Sequence, residues 1–310
     1  MNPIKIYQVT QNEYDKISIK LPIFLKAAYT EHYKVKVEEV FHFVIKGKNF
    51  CIGITGGVKE NAFFSPFSAP YGGFSILETN YSHIKFNEGL KLFEHELKSK
   101  LINEIKIVQP PDFINPANIF IHNALKFNNY NLDHLELNQF INLNKYDNPS
   151  EYFKKSARNK FNQLRKLNLE FIHDNSLLKE AYDLIKESRK IRNKPLKMKF
   201  EELEHANKLT NLEVFLLKYQ ENYISACIGF KCNTKLFHVI YWGHNVRYEE
   251  LFPMNGLSYF LINSLKNKGY EYIDLGISTN QTSPDYGLLN FKISIGAETC
   301  TRLSWTKRIN

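Results

Sequence analysis

One pattern occurs twice in this chain and limits what it can become. Glu39-Val40-Phe41 opens one apolar hairpin and Glu213-Val214-Phe215 opens another. Cys51-Ile52-Gly53 falls in the second strand of the first hairpin, and Cys227-Ile228-Gly229 in the second strand of the other. In the first half, period-two segments at 40–45, 50–55 and 62–64 lead to an irregular loop. A helix at 84–101 then stacks Leu90, Phe93 and Leu97 on one stripe, and a strand follows at 104–109. In the second half the strands are 214–219, 224–230 and 236–243. Their helix, 254–268, buries Leu257, Phe260, Leu261 and Leu265 ahead of a strand starting near Tyr270. Order and spacing agree over about 65 residues, which points to two copies of one mixed α/β unit. The 310 residues suit two domains of about 150 each better than one core. Lys145-Tyr146-Asp147-Asn148-Pro149-Ser150 reads as the boundary, giving domains at 1–146 and 147–310, with Asn148 or Ser150 able to cap the next helix.

Charge separates the halves further. Residues 1–150 carry 16 Lys+Arg against 15 Asp+Glu, whereas 151–310 carry 25 against 17. The segment 154–199 alone holds 14 basic and 5 acidic residues, so the excess is concentrated there. A basic region of this kind suits a phosphorylated cofactor, a nucleotide-linked substrate, RNA or an acidic membrane face; it also describes a solvated helix surface. No run approaches the roughly 18 apolar residues of a membrane span, and the amino terminus has no apolar signal core. Cysteines 51, 227, 232 and 300 lack paired metal-ligand spacing and read as small thiols in a reducing cytoplasm.

Residues 272–297 concentrate polar groups in apolar surroundings. They read as a strand ending on a carboxylate, a polar loop, a short turn, then Phe291-Lys292 leading into a second strand. Alternation puts Tyr272, Asp274 and Gly276 on one face and Ile273, Leu275 and Ile277 on the other. An acid among such neighbours must be paired, hydrogen-bonded or working, because a bare buried carboxylate is very costly. Either Asp274 takes part in chemistry, or it only holds the loop by accepting from backbone N–H groups of residues 278–280.

Asp274-Leu275-Gly276, then Gly287-Leu288-Leu289-Asn290-Phe291-Lys292 and Ser294-Ile295-Gly296-Ala297, resembles the closing motif of FemAB-like acyltransferases. These belong to the GNAT superfamily, and some carry two GNAT domains in tandem. Ser156-Ala157-Arg158, continuing to Arg165-Lys166, is similar to the helix that opens the second domain in that family. The resemblance implies an α/β chain with a mixed (α+β) sheet and two tandem GNAT-like domains, the first on the acceptor side and the second on the donor side. It implies two splayed strands at 236–243 and 270–277, beside a helix N-terminus at Pro253-Met254-Asn255-Gly256-Leu257. Such a terminus offers N–H groups and positive dipole to an anion. The usual GNAT phosphate loop is represented only by Asn255-Gly256.

The family's Phe-Lys pair maps onto Phe291 and Lys292, the lysine facing donor phosphate or developing negative charge, where a fixed cation is worth roughly 3 kcal/mol. A surface lysine at a strand start is the plainer alternative. Arg158 and Arg192 are candidate anion contacts, since guanidinium grips phosphate or carboxylate bidentately. Ser65, Tyr71, Gly72 and Gly73 occupy a loop where aminoacyl-transferring relatives have a Gly-Pro element and then a carboxylate; here no carboxylate precedes Glu78. The base is therefore sought at Asp274 or at His244, which alternation sets beside His238, Ile240 and Trp242. Tyr241 and Tyr286 are candidate acids or substrate walls, and Trp242 and Ser278 complete the substrate-binding set. A hydrogen-bonded structural role is the alternative for the histidine, and core packing for the tyrosines.

The chain is thus expected to be a cytoplasmic acyltransferase that uses acyl-CoA or aminoacyl-tRNA as donor, without a metal. It would act on an amine of a polar acceptor, of a nucleotide-linked, sugar or cell-wall-precursor type. The alternatives are an aminoacyl-tRNA-dependent peptidyl transferase, or an inactive scaffold that binds RNA or an anionic membrane surface. Lys292→Ala and Asp274→Asn are expected to leave a folded protein with little transfer.

Overall fold

The computed structural model describes residues 3–78 and 81–309. The first repeat runs β1 (Lys5–Gln8), α1 (Gln11–Ile17), α2 (Ala27–His32), β2 (Glu39–Gly47), β3 (Phe50–Lys59), β4 (Ala62–Ser65), β5 (Ser75–Ile76), α3 (His83–Ser99), β6 (Glu104–Val108), α4 (Asn118–Phe127) and β7 (Asn131–Asn142). Helices α5 (Pro149–Tyr152) and α6 (Lys155–Leu164) connect it to the second. That repeat runs β8 (Leu169–His173), α7 (Leu178–Ile191), α8 (Phe200–Thr210), β9 (Leu212–Tyr219), β10 (Asn222–Lys231), β11 (Leu236–His244), α9 (Pro253–Asn267) and β12 (Tyr272–Ile277). After the short pieces β13 (Thr279–Asn280) and β14 (Ser283–Pro284), it ends on α10 (Tyr286–Ser294) and β15 (Glu298–Arg308). Apart from the short pieces β5, β13 and β14, the second list repeats the first.

The chain divides into two compact units, Met1–Leu137 with Thr279–Ser283 and Cys300–Asn310, and Asn138–Ser278 with Pro284–Thr299. In the first, the strands lie in the order β1-β2-β3-β4-β6-β15, antiparallel except for the parallel pair β4–β6. In the second the order is β7-β12-β11-β10-β9-β8, again with one parallel pair, β11–β12. The terminal strand, grouped by sequence with 147–310, therefore completes the first unit's sheet: Ser304 to Arg308 pair with Val108 to Glu104. Reciprocally, Asn138–Asn142 of β7 pair with β12 in the second unit. Each sheet closes on a strand from the other repeat. Nothing in hydrophobic alternation can announce that, because a strand's pattern says which face is buried and not who its neighbour is.

Each unit has its own core. Phe43, Phe63, Phe74 and Phe93 lie edge to face at the centre of the first, with α3 covering the strands. In the second, Phe161 of α6 stacks on Tyr259 of α9 at 4.0 Å, above Phe215, Leu217 and Phe237. Burying each such ring contributes about 2–3 kcal/mol. Gly256 permits this packing. A Cβ there would stand 2.2 Å from Leu164 Cδ2 and 2.9 Å from Leu217 Cδ2. Gly256→Ala is accordingly expected to cost about 1–2 kcal/mol, measured by urea unfolding, with Leu164 swinging aside to relieve the contact. Among the described residues no helix is long and apolar enough to cross a membrane.

Three readings of local structure need correction. Residues 286–294, Phe291 and Lys292 included, form helix α10 and not a strand entry: Asp285 Oδ1 accepts from Leu288 N at 3.2 Å and starts the helix. Helix α1 is new; Thr10 and Glu13 form a capping box ahead of it. Strict alternation also fails in the two strands that matter most. In β11, Val239 faces Gly229 and Tyr241 faces Ile228, so Ile240 is an extra residue; His238 and Trp242 thus fall on opposite faces. In β12, Asp274 faces Phe140 and Gly276 faces Gln139, so Leu275 is extra and Gly276 leaves the face of Asp274.

Candidate active site

Strands β11 and β12 run parallel through Leu236–Tyr272, Phe237–Ile273 and His238–Asp274, and there the ladder stops. Beyond it β11 continues to His244 against β10, while β12 continues to Ile277 against β7. The two part into a wedge whose walls carry backbone groups not used in strand pairing, the splay expected between them. Helix α9 begins at the same sheet edge, where Ser225 Oγ donates to Pro253 O at 3.3 Å. Its N-cap, Phe252, is left-handed and supplies no side-chain cap, so the helix's positive end remains available. Asn255 is buried in its first turn, where its backbone N–H donates to Phe252 O at 2.9 Å. Gly256, expected with it at a cofactor, turns its Cβ direction into the core.

At the apex stands Asp274, fully buried, held by three donors: His238 Nδ1 at 2.8 Å, Asn138 Nδ2 at 2.8 Å and Gly276 N at 2.9 Å. Burial alone would raise its pKa; the facing His238 imidazole and the hydrogen bonds from His238, Asn138 and Gly276 outweigh burial and hold it below the usual carboxylate value. It does not cap residues 278–280. Instead it ties the N–H of Gly276, whose φ of +70° turns the strand at its extra residue. Lys292 closes the same turn from the other side. Only 1% exposed, it donates from Nζ to Gly276 O and Ile277 O, each at 2.9 Å. It is neither a surface lysine nor a cation projecting into solvent. Together the two residues take up Gly276 N, Gly276 O and Ile277 O at the point where β12 peels away.

Around this apex the other second-unit candidates take diverse places. Trp242 and Phe291 meet edge to face at 5.6 Å and form a half-buried aromatic wall. Tyr241 Oη accepts from Met198 N at 3.2 Å beneath the Arg189 guanidinium, and burial pushes its phenol up, so that it stays protonated. His244 Nε2 lies 2.9 Å from Arg192 Nη2. Burial, then the Arg192 charge, drive this imidazole down to about 4, so its free lone pair is committed to the arginine. Arg192 also donates to Ser188 Oγ at 2.6 Å and lies 3.9 Å from Glu249. Arg158 donates to Ser150 O and Phe153 O, 3.1 Å each, clamping the turn into α6. Ser278 Oγ donates to Gln139 Oε1 at 2.5 Å. Tyr286 stands 69% exposed at the start of α10.

The first unit shows what its own wedge has become. Strands β4 and β6 pair through Ser65–Ile107, and the next segment folds back into the opening. Gly72 N donates to Val108 O at 2.8 Å, and Gly73 N donates to Ser65 Oγ at 2.8 Å, which in turn donates to Thr55 O. Tyr71 is fully buried. A Cβ on Gly72 would strike Pro66 N at 2.7 Å, and Gly73 has φ +82°. Ser65, Tyr71, Gly72 and Gly73 therefore plug this unit's wedge with its own backbone. They are built into the wall, and Gly72 also lines a small cavity beside Phe24 and Tyr29.

Two residues that sequence reasoning passed over matter most. His238 appeared only as a neighbour of His244, and Asn138 not at all. The signal for His238 was the register of a parallel pair, which places it directly across from Asp274.

No protein-family profile matches the sequence, and no curated protein matches it significantly. Solved structures do. The chain is similar to FemX at 12% identity, with a TM-score of 0.74 over 99% of this chain and 98% of that one. It is similar to L-PGS from Bacillus licheniformis at 11% identity and TM-score 0.57, covering 96% and 91%. A tandem GNAT protein from the clavulanic acid biosynthesis pathway gives 8% identity and TM-score 0.51 over 99% of each chain. Two GNAT-like units of mixed α/β structure, as expected, are what these likenesses share.

Proposed function

We propose that this chain, with its FemX-like tandem GNAT fold, is an acyltransferase that moves an acyl or aminoacyl group from an activated donor to an amine of a polar acceptor. The observation that carries the reading is the parting of β11 from β12 immediately past His238 and Asp274, beside the uncapped N-terminus of α9. Backbone groups along the wedge bind an extended donor arm, and the helix terminus takes its anionic end. Trp242 and Phe291 wall the arm from water.

Ionised Asp274 fixes Nδ1 of His238 as a donor, leaving Nε2 as the nitrogen that exchanges a proton. In the transfer, the acceptor nitrogen forms the new bond to the donor carbonyl carbon and gives its proton to Nε2. The bond from that carbon to the donor's leaving group breaks, and the proton returns to the leaving atom. Asp274 and Lys292 act as positioning residues, one on the imidazole and both on the turn that opens the wedge.

Acyl-CoA is the first donor to test. Coenzyme A is expected to raise the melting temperature, and Asn255→Asp, which sets a negative charge at the helix terminus, is expected to remove most of that rise. A shift unchanged in the variant would detach the terminus from donor binding. An aminoacyl-tRNA donor is the second reading, favoured by the exposure of Lys154, Lys155, Arg158, Lys160, Arg165 and Lys166 around α6. It requires tRNA affinity that falls steeply with salt. If neither donor binds, the scaffold is not an enzyme of this type.

A further inference from the structure

Helix α4 is apolar on the side it buries and again on the side it shows. Ile121, Ala124 and Leu125 pack into the first unit's core. On the opposite side Ile119, Phe120, Asn123, Lys126 and Phe127 are all exposed; at about 3.6 residues per turn they fill an arc of about 120°. Ile119 is 71% exposed, Phe127 73% and Phe120 50%. A helix apolar all round is ordinarily buried, so this outer face calls for a partner.

The face continues onto the start of α3. The Tyr81 ring stacks on Phe120 at 5.1 Å, with its hydroxyl 3.3 Å from His83 Nδ1. Asn128 Nδ2, just past α4, donates to Asn87 Oδ1 on α3 at 2.7 Å. Ile84, in the first turn of α3, is 73% exposed, and exposed Lys91 lies two turns on along the same stripe.

Cations gather beside it. Lys85 Nζ donates to Lys48 O at 2.5 Å, which brings the β2–β3 turn against α3. Lys5 of β1 and Lys46 of β2 face each other, both exposed and neither with an ion-pair partner among the described residues. Like charges directly opposite destabilise a strand pair, so the place favours an anionic neighbour. Across 81–91 and 113–132 the sequence carries one acid, Glu88, against Lys85, Lys91 and Lys126.

A protein partner would need a groove cut to these separate projecting side chains, whereas a fluid bilayer takes them without one. An interfacial helix sinks its apolar face roughly 5–10 Å, to the acyl boundary, while nearby lysines stay with anionic headgroups. Tyr81, with its ring on Phe120 and its hydroxyl on His83, is the amphipathic aromatic that such a boundary favours. At 10 residues α4 is about 15 Å long, so it would lie along a bilayer and not cross it.

We infer that this face of the first unit docks on an anionic lipid bilayer, with Ile119, Phe120 and Phe127 at the acyl boundary and the lysines on phosphate headgroups. Docking of this kind is independent of the proposed transfer. Co-sedimentation of the full chain with phosphatidylcholine vesicles, with and without phosphatidylglycerol, is the test, and binding is expected to require phosphatidylglycerol. Ile119→Ser combined with Phe127→Ser is expected to weaken it tenfold or more, with the melting temperature unchanged. Lys46→Ala and Lys48→Ala are each expected to weaken it about fivefold. The coenzyme A thermal shift is expected to be the same in every variant, so loss of docking and loss of donor binding are read separately. No sedimentation with phosphatidylglycerol vesicles would overturn the docking face. So would binding that the lysine changes remove and the serine changes leave intact, which is plain adsorption of a basic chain. A single-stranded RNA bound in place of vesicles, and lost in the Ile119 and Phe127 variant, would also overturn it and give the face to nucleic acid.

Discussion

Lys292→Met is expected to lower the free energy of unfolding by about 3 kcal/mol and to abolish donor binding with it. Methionine matches the length and apolar stem of lysine, so packing along α10 is nearly conserved. What disappears is the buried Nζ, and with it both hydrogen bonds to Gly276 O and Ile277 O. Those carbonyls lie where β12 has left its parallel partner, so the partner strand cannot take them over. Two unsatisfied carbonyls at about 1–3 kcal/mol each drive the turn to collapse or to admit water. Urea unfolding reads the stability change, and a coenzyme A titration well below the transition reads the loss of the wedge. This revises the sequence-based expectation that a truncated Lys292 leaves a sound protein with poor chemistry. A variant of unchanged stability that nonetheless fails in transfer would restore the lysine to the reacting atoms.

The contrast between expected and observed roles shows which physical signals a sequence carries. The repeat was legible because hairpin, helix and strand each impose a period, and periods survive divergence that removes identity. The burial of Asp274 was legible for the same reason: it sits between Ile273 and Leu275 in a strand too apolar to be exposed. Lys292 was not, since Gly287-Leu288-Leu289-Asn290-Phe291 satisfies neither period cleanly and the deciding contact is the cap from Asp285. Extra residues at Ile240 and Leu275 reversed the assigned faces of Trp242 and Gly276, because one inserted residue flips everything beyond it. Tyr71-Gly72-Gly73 looked like a substrate loop because glycine-rich irregular segments serve ligands and tight backbone packing equally well. In the fold, Val108 O and Ser65 Oγ already occupy the N–H groups of Gly72 and Gly73.

The largest kinetic effect is expected at the His238–Asp274 pair, and Asp274→Asn tests it with the least disturbance. Asparagine keeps an oxygen for Gly276 N and Asn138 Nδ2, so the turn in β12 survives. It replaces the acceptor facing His238 Nδ1 with a donor, and two donors cannot share that 2.8 Å contact. The imidazole must shift its proton to Nε2, and that nitrogen can then no longer accept one. Turnover, followed as thiol release from acyl-CoA with an amine acceptor, is expected to fall by about 10²–10⁴ while donor affinity holds. His238→Gln is expected to lose a similar factor. The same substitution changes the acid limb of stability, and the sign is fixed by direction. Asp274 titrates below its unfolded value, so it stabilises the fold above an unfolded pKa of about 4 and loses that contribution as pH falls through the folded value. Wild type therefore weakens below about pH 4 in a way the asparagine variant does not. Should Asp274→Asn flatten that acid limb and leave turnover untouched, the pair would be a structural clasp at the fork of the sheet, and the proton acceptor would have to be sought among the acceptor's own groups or bound water.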